Sequence, residues 1–427
     1  MFNQTMRASA WGTSNKIAKS ASTAVSVPTA HPIEYNHDGM TQNDNVVPNI
    51  GKQYQILAKN TVPTTAWNGS LGQVEYEFPA FLGKITDNVL KFNITVAASG
   101  AGNLYLTPTP YWFSRIEILY NSQVVESVEP YDVATETVSY LTDQEFKNVY
   151  ASMNYGSDAG FGSAIALTAN TPQTFNFYLP LWASFLNCQP FIRGFKDAWR
   201  VRLTFANSIV ANSNGSGTLT TATGVSVALN QLYLYTTEAQ VSDAASAGLE
   251  AAHRSGIIYR SIIRNKFATN EATIAAGSAY NRVLTTFSTD SAGLLAYVIS
   301  NSSEPGYCFT TYPLDSLELR DAANAQLTIT LPAGLIKSYL MTQQTPLNSA
   351  IVNNSLYNIY LFSFCNNILG VLESGKNTGG LKLTSQERIQ FVNPSGSSLS
   401  SVKVCVISYE YALMAVRGGV ATVTRQA

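Results

Sequence analysis

Charge is scarce in this chain. Only 12% of its 427 residues are Asp, Glu, Lys or Arg, roughly half the share of an ordinary soluble domain. Twenty-six basic residues stand against 27 acidic ones, a net charge of -1, which argues against a broad nucleic-acid-binding surface. Histidine is rarer still, at three, and there are four cysteines. Cys188, Cys308, Cys365 and Cys405 lie far apart, each in or beside an apolar run, with no C-x-x-C pair and no neighbouring histidine. They read as buried free thiols in a reducing compartment.

Long apolar runs are missing too. Phe175 to Ile192, "FNFYLPLWASFLNCQPFI", carries no charge, but Asn176, Pro180, Asn187, Gln189 and Pro190 interrupt it. No unbroken run reaches the roughly 18 apolar residues of a membrane helix, so a strand followed by a buried, proline-bounded loop is expected. The opening "MFNQTMRASAWGTSNKIAKS" has Arg7, Lys16 and Lys19 but no apolar core of signal-peptide length, and export by that route is not expected. The sequons at Asn68, Asn93, Asn214 and Asn301 then read as chance matches in a chain rich in Asn, Ser and Thr.

Apolar and aromatic residues are plentiful. Hydrophobic residues make up 45% of the chain, with 23 Tyr and 19 Phe, and the length suffices for two domains or one large β assembly with a proper core. A surface so poor in charge is suited to lying against other copies or partners.

Alternation with a period of two dominates, the pattern of strands with one buried face. In Leu90–Val96 the apolar set is Leu90, Phe92, Ile94 and Val96; in Arg200–Phe205 it is Val201, Leu203 and Phe205, with both arginines outward. Glutamates alternate in the same way in Val74–Phe78. Further strands are predicted over Trp112–Tyr120, Phe175–Leu179, Val225–Tyr235, Ile257–Phe267, Asn281–Phe287, Leu294–Ser300, Leu327–Leu331, Asn358–Phe364 and Val402–Tyr411, separated by Gly, Pro, Asn and Ser clusters. Two segments read as helix instead. Pro130–Tyr150 carries one rough apolar stripe behind an initial proline, and Glu238–His253 is rich in alanine.

The expected fold class is therefore all-β. Residues 1–50, without an acid before Glu34, read as an extended N-terminal arm that orders only against partners. Residues 51–237 and 257–427 carry strand series of similar length, near eight strands each, which suggests two consecutive jelly rolls. Residues 238–256 form the helical connection between them.

The most provocative motif is Gly370–Gly380, "GVLESGKNTGG". A phosphate-cradling loop needs Gly, four residues, Gly, Lys and then Ser or Thr to ligate magnesium, followed at once by a helix. Asn377 holds the hydroxyl position and Thr378-Gly379-Gly380 opposes a helix, so a glycine-rich surface loop is the better reading. His31, His37 and His253 build neither a metal triad nor a Ser-His-Asp set. His31 and His37 with Glu34 and Asp38 admit a metal, but a solvated arm is the stronger reading. Glu75 and Glu77 share one strand face and are expected to meet solvent or a neighbour. Gly156–Ser163, "GSDAGFGS", lacks a third glycine in register and reads as a loop. Trp112, Trp182 and Trp199 read as core residues more readily than as a sugar-stacking face. The arm's Arg7, Lys16 and Lys19 supply little affinity for a polyanion at physiological salt. No catalytic residue, cofactor-binding residue or metal ligand is assigned.

Taken in order, the segments resemble the double jelly-roll major capsid protein of icosahedral double-stranded DNA viruses. The similar stretches are Val74–Val96, Tyr111–Phe146, the Leu-Pro segment "FNFYLPLWASFLNCQPFI" with "DAWRVRLTF", Gln231–Ile262 across the connection, "NIYLFSFCNNILGVLESGKNTGGLKL" and "VKVCVISYEYALMAVRGGVATV". They cover most of residues 70–427. After the aromatic strand the family carries Pro-Ser-Gly and an Asn-Phe-Ser-Arg run; here Ser374-Gly375 match, Glu373 replaces the proline and the run is absent. The resemblance implies two eight-stranded jelly rolls with short helices in the connections. It further implies a structural, non-enzymatic role in homotrimeric, pseudo-hexameric capsomers of the virion shell. Its implied partners are neighbouring capsomers, penton and minor capsid proteins, and an internal membrane reached through the arm, with no specific nucleic acid. Asn- and Ser-rich loops such as Ala206–Gly224 would be exposed at the rim. The competing reading is a β-sandwich attachment or glycan-binding protein.

Overall fold

A computed structural model describes residues 33–35, 46–59, 66–67, 71–129, 152–155, 162–181, 186, 190–211, 218–241, 243–300, 311–328, 331–332, 358–366, 368, 371, 377–396 and 398–425. In chain order the strands are β1 (Ile33–Tyr35), β2 (Val46–Ile56), β3 (Gln73–Glu77), β4 (Lys84–Ala97), β5 (Gly102–Leu104), β6 (Phe113–Tyr120), β7 (Gln123–Val128), β8 (Ile165–Leu167), β9 (Gln173–Pro180), β10 (Trp199–Phe205) and β11 (Ser226–Val241). Helix α1 (Asp243–Ser255) follows. Then come β12 (Ile257–Ile274), β13 (Ala279–Val283), β14 (Asp290–Ser300), β15 (Ser316–Arg320), β16 (Leu331–Pro332), β17 (Ile359–Ser363), β18 (Leu381–Lys382), β19 (Arg388–Val392), β20 (Leu399–Arg417) and β21 (Val420–Arg425).

The alternation read from the sequence sets the strand faces. In β10, Val201, Leu203 and Phe205 are buried while Arg200 and Arg202 point out. Both arginines sit opposite glutamates of β3, Arg200 against Glu77 and Arg202 against Glu75. Their guanidinium groups close ion pairs of 2.9 and 2.7 Å, the cross-strand pairing that stabilises one sheet face.

Two sandwiches result. The first pairs a sheet of order β2-β11-β4-β9 with one of order β3-β10-β6-β7, and the second pairs β12-β20-β14-β17 with β13-β19-β15-β16. Numbered within its own sandwich, each reads first-eighth-third-sixth facing second-seventh-fourth-fifth. The small β5-β8 pair, β1, β18 and β21 are additions to this plan.

The sheet containing β14 and β20 is buried on both faces, which is why those strands read as near-continuous apolar runs. Leu294, Ala296, Val298, Val402, Val404 and Val406 pack with Leu317, Leu319, Ile389 and Phe391 in the second sandwich's own core. Leu295, Tyr297, Ile299, Cys405, Ile407 and Tyr409 point the other way and join the core of the first sandwich. Each fully buried Leu, Ile, Val or Phe among them contributes about 1.5–3 kcal/mol relative to exposure.

Several boundaries differ from those the sequence suggests. Residue 50 falls inside β2, and part of the predicted arm is strand, because Ile33–Tyr35 pairs in parallel with Ile257–Tyr259 of β12. That segment therefore orders against its own chain. The connection expected from residue 238 begins later: Glu238 and Ala239 still pair with β2 and β4. Glu238 is held there by Tyr54 Oη (2.9 Å) and the Gly83 N–H (2.5 Å), and helix starts only at Asp243. Strand Asn281–Phe287 ends at Val283, and in place of Leu327–Leu331 there is a bridge at Gln326 and a short strand from Leu331. Trp112 closes a 3-10 turn, Thr109–Trp112, before β6. The predicted helix 130–150 lies outside the described residues.

The uncharged stretch after Phe175 is the strand β9, followed by buried Leu186, Pro190 and Phe191. No described helix is long and apolar enough to cross a membrane. The described parts of the loop 206–224, residues 206–211 and 218–224, are less exposed than the composition suggests. Ile209 and Ala211 are buried, and the Ala211 and Thr221 N–H groups donate to Tyr105 O and Asn103 O, both at 2.8 Å.

Candidate functional site

The stretch that mimics a phosphate loop is built as a strand entry. Asn377 Oδ1 accepts from the Gly379 N–H at 2.9 Å, a local turn, and Gly379 O accepts from Tyr411 Oη at 2.5 Å. At Gly380 a Cβ would stand 2.9 Å from Ser291 O and 3.1 Å from the Tyr411 ring, so only glycine lets the backbone lie this close to β14 and β20. The chain then enters β18. The helix N-terminus that would receive a phosphate is thus replaced by a strand; residues 372–376 lie outside the described set.

The other candidates are dispersed. Of the arm's four metal-binding candidates only Glu34 is described, within β1, and the described residues contain no cluster of three or more His, Cys, Asp or Glu able to hold a metal. Glu75 and Glu77 belong to an ionic ladder across β3, β10 and β6, in which Arg202 also reaches Glu117 at 3.5 Å. Trp112 and Trp199 are buried; Trp182 lies outside the described residues. Asn93, in one of the sequons, bonds through its amide to Asn176 and Asn230 in the middle of a sheet. Cys365 is a half-buried and Cys405 a buried free thiol; Cys188 and Cys308 are not among the described residues.

What the fold does bring together is a junction between the two sandwiches. Arg264 of β12 reaches Glu126 of β7 at 2.6 Å, with 8% and 1% of the two side chains exposed. Beside them Glu129 accepts from Lys266 at 2.7 Å and lies 3.6 Å from Lys403. Burial alone would raise the Glu129 carboxyl, but the two lysines outweigh it and hold it below the ordinary value.

At the far end of the junction, Gly418-Gly419 turns β20 into β21 with φ of +59° and +78°. This is the twist-matched two-residue hairpin that favours glycine. Gly419 is wedged between segments: its N–H donates to His253 O (3.0 Å), and its carbonyl accepts from Lys196 N (2.8 Å) and Tyr120 Oη (3.0 Å). Tyr120 Oη in turn accepts from the Ala421 N–H at 3.2 Å.

His253 seals this end. It is fully buried, its Nε2 lies 2.6 Å from Tyr259 Oη, and Phe195 and Phe191 pack on its ring at 4.7 and 5.9 Å. Burial pushes the imidazole down from 6.5 to about 4. Because the folded state binds the proton less readily than the unfolded chain, the stability it contributes is complete above about pH 6.5 and drains away as pH falls towards 4. The expected loss by pH 4 is about 3 kcal/mol. His253→Gln should flatten the urea midpoint between pH 6.5 and 4; a wild-type midpoint already flat across that window would contradict the assignment. The lowered Glu129 carboxyl adds loss in the same direction on further acidification.

Sequence reasoning placed His253 at the connection but missed Glu126, Glu129, Arg264, Lys266 and Lys403. Each looks like an ordinary polar position on an alternating strand. No local signal links residues more than a hundred positions apart.

No family model matches the chain, and no curated protein matches its sequence. Solved structures do match in three dimensions. A quasi-atomic model of the PBCV-1 virus capsid has 12% identity and a TM-score of 0.65 over 88% of this chain and 96% of that one. The Faustovirus major capsid protein has 10% identity and a TM-score of 0.60 over 88% and 92%. The mavirus major capsid protein has 11% identity and a TM-score of 0.51 over 90% and 93%.

The fold is the double jelly roll. Each sandwich is one roll, α1 joins them, and the Glu126–Arg264 and Gly419 contacts lock them side by side. The double jelly roll also explains why β14 and β20 are apolar on both faces: one face closes a roll and the other closes the pair.

Proposed function

We propose that the protein is a major capsid protein. Three copies form a pseudo-hexameric capsomer, and capsomers tile an icosahedral virus shell. The observation that carries this reading is the repetition of one strand order in two rolls, over a chain that covers 88% of its own length in likeness to major capsid proteins. Two rolls per chain give six in a trimer, so a threefold ring approximates sixfold packing with one kind of subunit. Strands β2–β11 (46–241) serve as the first roll, β12–β20 (257–417) as the second, and the helix 243–255 as the link. The low charge of the chain suits broad lateral contacts with other capsomers and with penton and minor capsid proteins. The role is structural, in the virion, and no catalytic step is assigned. The glycan-binding alternative loses its aromatic platform at Trp112 and Trp199, which are buried.

The test is light scattering of the purified protein with negative-stain imaging. The expected result is a stable trimer with a hexagonal outline; a monomer that binds immobilised glycans would overturn the proposal.

A further inference from the structure

The end of the junction at His253 is built from separate stretches of the chain. The ring stands on the last turn of α1, flanked by residues 191–196 of the first roll and by Tyr259 of β12, and the hairpin between β20 and β21 closes over its backbone. Two glycines let these pieces come so close. A Cβ on Gly194 would stand 3.0 Å from His253 Nδ1, and one on Gly419 would stand 2.8 Å from Gly194 O. The ring is fully buried, with no room beside it for the water that a charged imidazole needs.

Little around the ring could steady a charge. Arg193 pairs with Glu250 at 3.9 Å, Arg425 pairs with Glu410 at 3.1 Å, and Asp197 lies by Tyr120. Lys196 before the loop's end, Arg254 next to the histidine, Arg260 on β12 and Arg417 at the hairpin add only cations. None of the described carboxylates pairs with the ring, and burial outweighs the Gly194 backbone, the one contact that favours the charged form. A proton on His253 is therefore tolerated only where water reaches it.

The rest of the seam is held differently. Leu295, Ile299 and Ile407 join the first roll's core by apolar packing, which acid leaves in place. Glu129 keeps its lysines until the pH is below the range of an ordinary carboxylate.

We infer that this end of the seam is an acid-sensitive hinge: protonation of His253 frees the β20-β21 hairpin and the last turn of α1 from the first roll while both rolls stay folded. Opening breaks the bonds from Lys196 N–H and Tyr120 Oη to Gly419 O, and from the Ala421 N–H to Tyr120 Oη. It also uncovers the rings of Phe191, Phe195 and Trp199, so that apolar surface is displayed only in acid. The step takes place within one chain.

Amide hydrogen exchange of the full chain at pH 5 and pH 7.5, corrected for intrinsic rates, tests it. Lys196 and Ala421 should lose about 30-fold of their protection at pH 5, the factor set by a histidine that titrates at 6.5 when open and about 4 when closed. Amides in the middle of β4 and β20 should stay unexchanged over the same period. Equal protection at the two pH values would overturn the hinge. Core amides exchanging in step with the two reporters would overturn it as well, since the chain would then open as one unit. His253→Gln keeps a polar group beside Tyr259 but takes up no proton, and should hold both reporters at one level of protection. A variant that kept the loss would assign it to another group and remove His253 from the hinge. Should the variant not fold, the wild-type comparison still decides.

Discussion

Trp112→Ala is expected to lower the unfolding free energy by about 4 kcal/mol, the range for truncating a fully buried aromatic in a core that cannot collapse. Trp112 is fully buried at the centre of the first roll, edge-on to Trp67, Phe92 and Phe177 at 5.6, 4.9 and 5.2 Å. Those three rings come from different segments, so no single shift of backbone refills the hole. The indole Nε1 also donates to Thr107 O at 2.8 Å. That carbonyl accepts a second bond from Asn154 Nδ2 at 3.1 Å, so losing the indole donor alone does not orphan it. Trp112→Phe, which keeps most of the volume, should therefore cost about 1–2 kcal/mol. Urea titration followed by circular dichroism separates the two; an alanine variant within 1 kcal/mol of wild type would refute the packing account.

Glu126→Ala should cost about 3 kcal/mol, because it removes one side of a 2.6 Å ion pair from a place where little water can replace it. A glutamate and an arginine that form an exposed surface pair are worth at most about 1 kcal/mol, so the magnitude itself reports burial. The double variant Glu126→Ala with Arg264→Met should recover much of the loss, since neither charge is then left in the junction. A double-mutant cycle gives the coupling. The Glu126→Ala variant should expose the connecting helix, residues 243–255, to limited proteolysis before the rolls themselves are cut. Equal losses for the single and double variants would show that the pair is not what joins the rolls.

Much of this architecture is legible in the residues. Alternation marks β4 and β10 because one face of each is wet, and the alanine-rich stretch marks α1 because alanine favours helix where no sheet claims it. Errors occur where tertiary pairing overrides local preference. β20 runs to Arg417, six residues past the predicted end, although Ala412-Leu413-Met414-Ala415 favours helix. Those residues are flanked by β12 on one side and β21 on the other. Glu238 is kept in β11 by Tyr54 and Gly83, partners that lie more than 150 residues earlier. The junction was the least legible part, since Glu126 and Arg264 are separated by 138 positions and gain their meaning only when two complete sheets meet. The rejection of the nucleotide loop needed no such context: the missing hydroxyl and the glycines were enough.

In both rolls the eighth strand lies between the first and the third, and that order imposes a timetable on synthesis. β2 and β4 are made early but have no partner on their inner edges until residues 226–241 have left the ribosome. β12 and β14 wait in the same way for residues 399–417. A nascent chain halted before either point displays two long unpaired strand edges, the arrangement most prone to join another chain. Completion of each roll is therefore close to all-or-none. The Gly418-Gly419 hairpin, emerging after the last central strand, sets the rolls against each other only once both are whole.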